Sequence, residues 1–298
     1  MEFMREFPDD DACLEHLWRS RYAPDGEHAY CPRCETARKF KRYETATRRQ
    51  AWTCTSCTQK LYPTAGTIYH KSSTSLHLWY YAMWLITSTR CGISAKQLER
   101  ELGVTYKTAW RMFNLIRNKL MTQEDGQLSG KVEADEMFIG GKPRESYRRE
   151  VARRGWTMQT AYWDRKPIVF GAVERGGRVK ATVIANSRGY TLRTKVSEFV
   201  LPASMLYTDE YKGYNHLERR YTHRRIKHRE RIYVQGDVHT QTIEGFFGLV
   251  KNGIRGVYHS VSAKWLQGYL NEYAWRYNHR DDRVAMFRLL LVRASSSV

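Results

Sequence analysis

Three acidic residues stand far apart in a strongly basic chain: Asp135 in KVEADEMFIGG, Asp209 in LYTDEYKGY and Glu244 in HTQTIEGFFGLVKNGIRG. Carboxylate oxygens are hard donors for divalent cations, and three of them drawn together could hold the metal with which phosphodiesters are cut and joined. The rest of the chain supplies the complementary charge. Fifty Lys and Arg against 31 Asp and Glu give a formal net charge of +19, which points to a polyanionic partner. With metal-binding acids set among those cations, the expected substrate is DNA.

Such acids act together only if rigid elements carry them to one place. KVEADEMFIGG, KPIVFGAVERGG and RVKATVIANS read as three strands in a meander, TLRTKVSEFV as a short amphipathic helix, and Met205 to Tyr207 as a strand ending just before Asp209. In a β-β-β-α-β order of this kind the first and fourth strands lie side by side, so Asp135 and Asp209 become neighbours. Glu133 and Glu136 are expected to point to the opposite face from Asp135, and Glu210 is the weaker alternative to Asp209. The third acid belongs to a helix. At 100° per residue Ile243, Phe246, Phe247, Val250 and Ile254 form one apolar arc, and Glu244, Gly248, Lys251 and Arg255 form a polar stripe. Lys251 and Arg255 are then placed to meet phosphates near the metal, and Gly248 leaves room for a DNA backbone. Asp237 and His239 precede this helix as loop residues, where His239 is a conceivable further ligand. Basic stretches from Lys142 to Trp156 and from Leu217 to Tyr233 are candidate DNA tracks, although a solvated basic face reads the same way. Helices from Ser262 onward, ending in RVAMFRLLLVRA, are expected to close this half.

The front half carries different chemistry. Cys31 and Cys34, then Cys54 and Cys57, form two C-x2-C pairs 19 residues apart, the spacing of a zinc ribbon in which four thiolates close one structural Zn2+ site. Lys39, Lys41, Arg42, Arg48 and Arg49 between the knuckles are possible phosphate contacts. Cys13 and Cys91 read as ordinary thiols. Leu76 to Thr87 is a buried apolar helix, shorter than the roughly 18 residues of a membrane span, so no membrane partner is expected. Beyond a break at Arg90 to Gly92, ISAKQLERELGVTYKTAWRMFNLIRNKL resembles a helix-turn-helix: Ser94 caps one helix, Gly103 makes the turn, and Thr105 caps a second. Tyr106, Lys107, Thr108 and Arg111 would face a DNA groove. No secretory pattern opens the chain and the cysteines pair as metal ligands, so a cytoplasmic location is expected.

Taken together, the runs CPRC, CTSC, LYPTAGTIYH, GISAKQLERELGVTYKTAWRM, VEADEMFIGGK, YTDEYKGY, TIEGFFGLVKNGIRGVYHSVS and NEYAWRYNHR resemble the fifteen-ninety-five family of bacterial insertion-sequence transposases across nearly the whole chain. The resemblance implies an α/β multidomain protein. Its parts would be a zinc ribbon over 1–68, a helix-turn-helix segment over 69–122, a linker over 123–130 and a ribonuclease-H-like catalytic domain over 131–298. It also implies DDE chemistry by Asp135, Asp209 and Glu244 with Mg2+ or Mn2+, Lys251 as a DNA contact, and a homo-oligomer bringing two element ends together. One position departs from the family: Gln241 stands where Asn is usual. Two other functions fit parts of the pattern, a DNA-binding regulator without catalysis and a ribonuclease-H-like nuclease or resolvase.

Overall fold

In a computed structural model, residues 2–44, 50–89, 91–141, 143–158, 166–226, 230, 236–282 and 284–296 are described. Arg48, Arg49, Arg90, Lys142 and most of the second basic stretch beyond Ile226, Tyr233 included, lie outside them. The chain divides into two compact α/β units, Met1–Met121 with Asp282–Val298, and Thr122–Asp281.

The first unit begins with α1 (Glu2–Glu6) and α2 (Asp10–Arg21), followed by β1 (His28–Cys31), β2 (Thr36–Glu44), β3 (Gln50–Cys54) and β4 (Lys60–Leu61) in one antiparallel sheet of that order. This sheet is too small to bury a core of its own. It leans on α2 instead, with Trp18 stacked on Trp52 at 4.6 Å between ring centroids. Three helices follow: α3 (Leu76–Ser88), α4 (Ala95–Leu102) and α5 (Tyr106–Leu115). Each starts where a hydroxyl accepts a bond from an orphan amide: Ser75 from Leu78 N, Ser94 from Gln97 N and Thr105 from Thr108 N. Between α4 and α5, Gly103 takes a left-handed φ of 63°, which a residue with a Cβ seldom adopts.

The second unit is built on β5 (Lys131–Phe138), α6 (Glu145–Arg153), β6 (Ile168–Glu174), β7 (Val179–Ile184), α7 (Gly189–Phe199), β8 (Met205–Thr208), β9 (Thr222–Arg225), α8 (Gln241–Gly253) and α9 (Leu266–Asn278). Its sheet runs β7-β6-β5-β8-β9, with β6 antiparallel to both β5 and β7, and β5, β8 and β9 parallel. One face packs on α8 and α9 through Met137, Val169, Ile243, Phe247, Val250 and Leu270; the other packs on α7 through Ala134, Phe170, Leu192, Val196 and Leu206. Covered on both sides, β6 is apolar nearly throughout, as a central strand must be.

The free edge of β7 is covered by side-chain amides. Asn278 accepts from Val179 N and donates to Val179 O, Gln123 does the same for Ala181, and Gln267 accepts from Val183 N. Three carboxamides thus occupy successive outward-facing positions of the strand.

The last helix, α10 (Met286–Ser295), corrects a sequence expectation. It packs in the first unit, on α2 and α3, rather than closing the second half. Its apolar face, Phe287, Leu290, Leu291 and Ala294, is buried, and Phe287 lies 5.8 Å from Phe3 and 6.0 Å from Phe7 between ring centroids. Arg288 pairs with Glu6, and Arg293 donates to Leu120 O. Among the described residues, no helix is long and apolar enough to cross a membrane.

Candidate active site

The thiols of Cys31, Cys34, Cys54 and Cys57 converge, with all four Sγ atoms within 4.8 Å of one another. A tetrahedral ion at a Zn–S length of about 2.3 Å needs sulfurs roughly 3.8 Å apart, so the donor set fits Zn2+. The two knuckles repeat one geometry. Glu35 and Thr58, each just after the second cysteine of its pair, take left-handed φ values of 53° and 62°, and their amides donate to Cys31 O and Cys54 O. Neither is glycine, so sequence alone offers no sign of these turns. Four thiolates around one ion would leave no open position, the donor set of a structural rather than a catalytic site.

The acids gather on the second sheet and α8. Register explains the first two: β5 pairs with β8 through Glu133 opposite Tyr207, and two residues further along each strand Asp135 comes beside Asp209. Asp209 sits just beyond β8, where its Oδ1 accepts from Tyr211 N. Glu244 lies on α8 and accepts from the Thr240 hydroxyl at 2.8 Å. A cavity of about 450 Å³ is lined by Asp135, Glu136, Met137, Phe138, Glu244, Phe247 and Lys251. Asp135, Glu244 and Lys251 therefore share one cavity, whereas Asp209 borders Asp135 without lining it. Arg255 departs further from expectation. The α-helix gives way to a π-helical turn at Ile254–Tyr258, so the 100° stripe stops at Gly253, and exposed Arg255 is not among the lining residues.

The electrostatics follow from this crowding. Burial, then the charges of Glu136, Asp209 and Glu244, push the Asp135 carboxyl well above the ordinary carboxylate range. Glu136 is raised to about 7 by burial, although the Tyr214 hydroxyl donates to it and opposes the rise. Carboxyls massed in this way need a proton or a cation among them, and oxygen donors suit a hard divalent ion.

In the first unit Tyr106, Lys107 and Arg111 are exposed along α5 and Thr108 is half-buried. Lys39, Lys41 and Arg42 are exposed on β2, where Lys39 pairs with Glu27 and Arg42 with Asp11.

Residues 127–278, nearly the whole second unit, match the ISXO2-like transposase domain. The chain belongs to that transposase family. It is also similar to a protein of Halobacterium salinarum whose name places it in transposable element ISH50, at 28% identity over 256 residues covering 83% of this chain and 84% of the relative.

Within this transposase domain, three further positions surround the acids: Glu133, expected on the wrong face, and two that carry no signal in the sequence. The first corrects the strand parity: Glu133, two residues before Asp135, lies on the same face as it, and only Glu136 points to the other. Glu133 is fully buried under the start of α8, accepting from Thr242 N (2.8 Å), Ile243 N (3.1 Å) and the Thr242 hydroxyl (3.0 Å). The second is Arg175, which donates from Nε to Glu133 at 2.6 Å and from its other nitrogens to Asp237 O and His239 O. His239 stands 3.2 Å from Glu133. Asp237 pairs with Lys131 and Arg175. The third is Gly171, directly across β6 from Asp135: a Cβ there would meet Phe247 at 2.8 Å and Ile243 at 2.9 Å, so its absence lets α8 approach the sheet.

Proposed function

We propose that this chain is a DDE-type DNA transposase that binds the ends of its element, cleaves to expose 3′-hydroxyls and joins them to target DNA. The observation carrying this reading is the cavity that unites Asp135 of β5 with Glu244 and Lys251 of α8, with Asp209 beside Asp135 across the parallel β5–β8 pair. The strand order β7-β6-β5-β8-β9, with three antiparallel strands followed by two parallel ones, supports a ribonuclease-H-like catalytic domain. When bound, Mg2+ or Mn2+ would supply Lewis-acid stabilisation of the attacking and leaving oxygens.

The chain's own residues set the geometry. Asp135, Asp209 and Glu244 would hold the cations from a rigid strand, a strand end and a helix. Lys251, two turns after Glu244 on the same stripe, faces the phosphate to be cut. Nothing lies within 4 Å of where a Cβ on Gly248 would stand, so the surface between Glu244 and Lys251 is open to a nucleic-acid backbone. Arg255 would contact phosphate further along the strand. In the first unit, α4, the turn at Gly103 and α5 form a helix-turn-helix that would present Tyr106, Lys107, Thr108 and Arg111 to a groove, beside a ribbon organised by Zn2+. Gln241, exposed at the first position of α8, stands one turn ahead of Glu244 and flanks the site. A homo-oligomer is the expected working form, because two ends must be joined in one event.

The test is cleavage of DNA carrying the element's terminal repeats. Asp135→Asn is expected to lose at least 1,000-fold (~4 kcal/mol of barrier) in both cleavage and joining under Mg2+, with end binding retained. Wild-type rates in that variant would falsify the site; cleavage indifferent to element ends would favour a structure-directed nuclease instead.

A further inference from the structure

The start of α8 lacks an ordinary cap. Thr240, at the N-cap position, makes no side-chain bond to the first-turn amides and gives its hydroxyl to Glu244. The capping acceptor comes instead from a different element, 109 residues earlier in the chain: Glu133 of β5 takes the amides of Thr242 and Ile243 on one oxygen, and the Thr242 hydroxyl and Arg175 Nε on the other. An anion at a helix N-terminus also meets the positive end of the helix dipole. Arg175 is itself held down, its guanidinium 4.2 Å over the Tyr207 ring of β8, the strand that ends just before Asp209. One ion pair, its carboxylate fully buried, thus touches the strand of Asp135, the helix of Glu244 and the strand that leads to Asp209.

We infer that the Glu133–Arg175 pair is the positioning device of the catalytic cavity, locking the first turn of α8 to β5 and β8 so that the separation of Asp135 and Glu244 is set before any cation or DNA arrives. Glu133 is a positioning residue. It touches neither metal nor substrate, and it acts through the backbone two residues before Glu244. This inference rests on the transposase reading of the site.

Two measurements on the full chain separate the lock from that reading. Amide hydrogen exchange at Thr242 and Ile243 reports the lock itself, and Mn2+ binding, followed by electron paramagnetic resonance, reports its coupling to the acids. Glu133→Gln is expected to exchange faster at those amides and to bind Mn2+ about 10- to 100-fold more weakly, the range of orienting contacts around a metal site. Thr242→Val keeps the buried charge and removes a single bond, so it remains informative if Glu133→Gln does not fold; it is expected to shift both quantities the same way by less. Unchanged exchange overturns the lock. Faster exchange with wild-type Mn2+ affinity, while Asp135→Ala abolishes binding, reduces Glu133 to a helix cap and also overturns the proposal. Wild-type Mn2+ binding in Asp135→Ala as well as in Glu133→Gln removes the metal site, and the proposal goes with it.

Discussion

At the scale of single residues, the candidate site depends as much on what is missing as on what is charged. Gly171 has no side chain where Phe247 and Ile243 press against the sheet, directly opposite Asp135. Gly171→Ala is expected to force α8 outward or to strain its aromatic face, lowering stability by about 1–3 kcal/mol in chemical denaturation and reducing cleavage beyond the loss of folded protein. An unchanged denaturation midpoint would show that α8 gives way freely. Asp135, Asp209, Glu244 and Lys251 were all legible in the sequence, because each lies in a short run whose periodicity names its element. Glu133 is visible in the same run, but the two-residue period of a strand puts it on the face of Asp135, under α8, and not on the face of Glu136. Arg175 and Gly171 could not be found, since their importance arises from partners across strands or far along the chain, and no local pattern encodes such a meeting.

Among elements, the ribbon and α8 give opposite lessons. The two cysteine pairs announced the ribbon by spacing alone, while the matched left-handed turns at Glu35 and Thr58 were hidden by residues that usually avoid that conformation. Four strands, the last of only two residues, carry too little apolar area to hold themselves together, so a Zn2+ held by the four thiols would carry part of the folding energy. Chelation is therefore expected to unfold β1 to β4 and to change tryptophan fluorescence as Trp18 and Trp52 part, leaving the sheet of the second unit intact by hydrogen exchange. Retention of the stacked pair after complete zinc removal would refute that dependence. For α8 the apolar arc from Ile243 to Val250 held as the sequence indicates. Ile254 still joins that buried arc, but the polar stripe does not carry on to Arg255, because a π-helical turn resets the angle per residue and leaves no mark in side-chain type.

For the molecule as a whole, chain order and packing order differ. The final helix belongs with residues from the beginning, a relation that sequence cannot express because an apolar stripe such as Phe287, Leu290, Leu291 and Ala294 does not specify which surface it covers. Ending the chain at Asp281 is expected to cost the first unit on the order of 5 kcal/mol, from the lost burial of three large side chains at about 1.5–3 kcal/mol each, and to leave the second unit's melting unchanged. Calorimetry of the truncated chain checks this, and a loss falling on the second unit would contradict the packing. The amides along β7 bear on assembly. A bare strand edge invites a neighbouring chain to extend the sheet, and Asn278, Gln123 and Gln267 already occupy that invitation at Val179, Ala181 and Val183. Copies of this chain brought close together would find no open edge there on which to fuse their sheets, so the chain can be concentrated and still come apart.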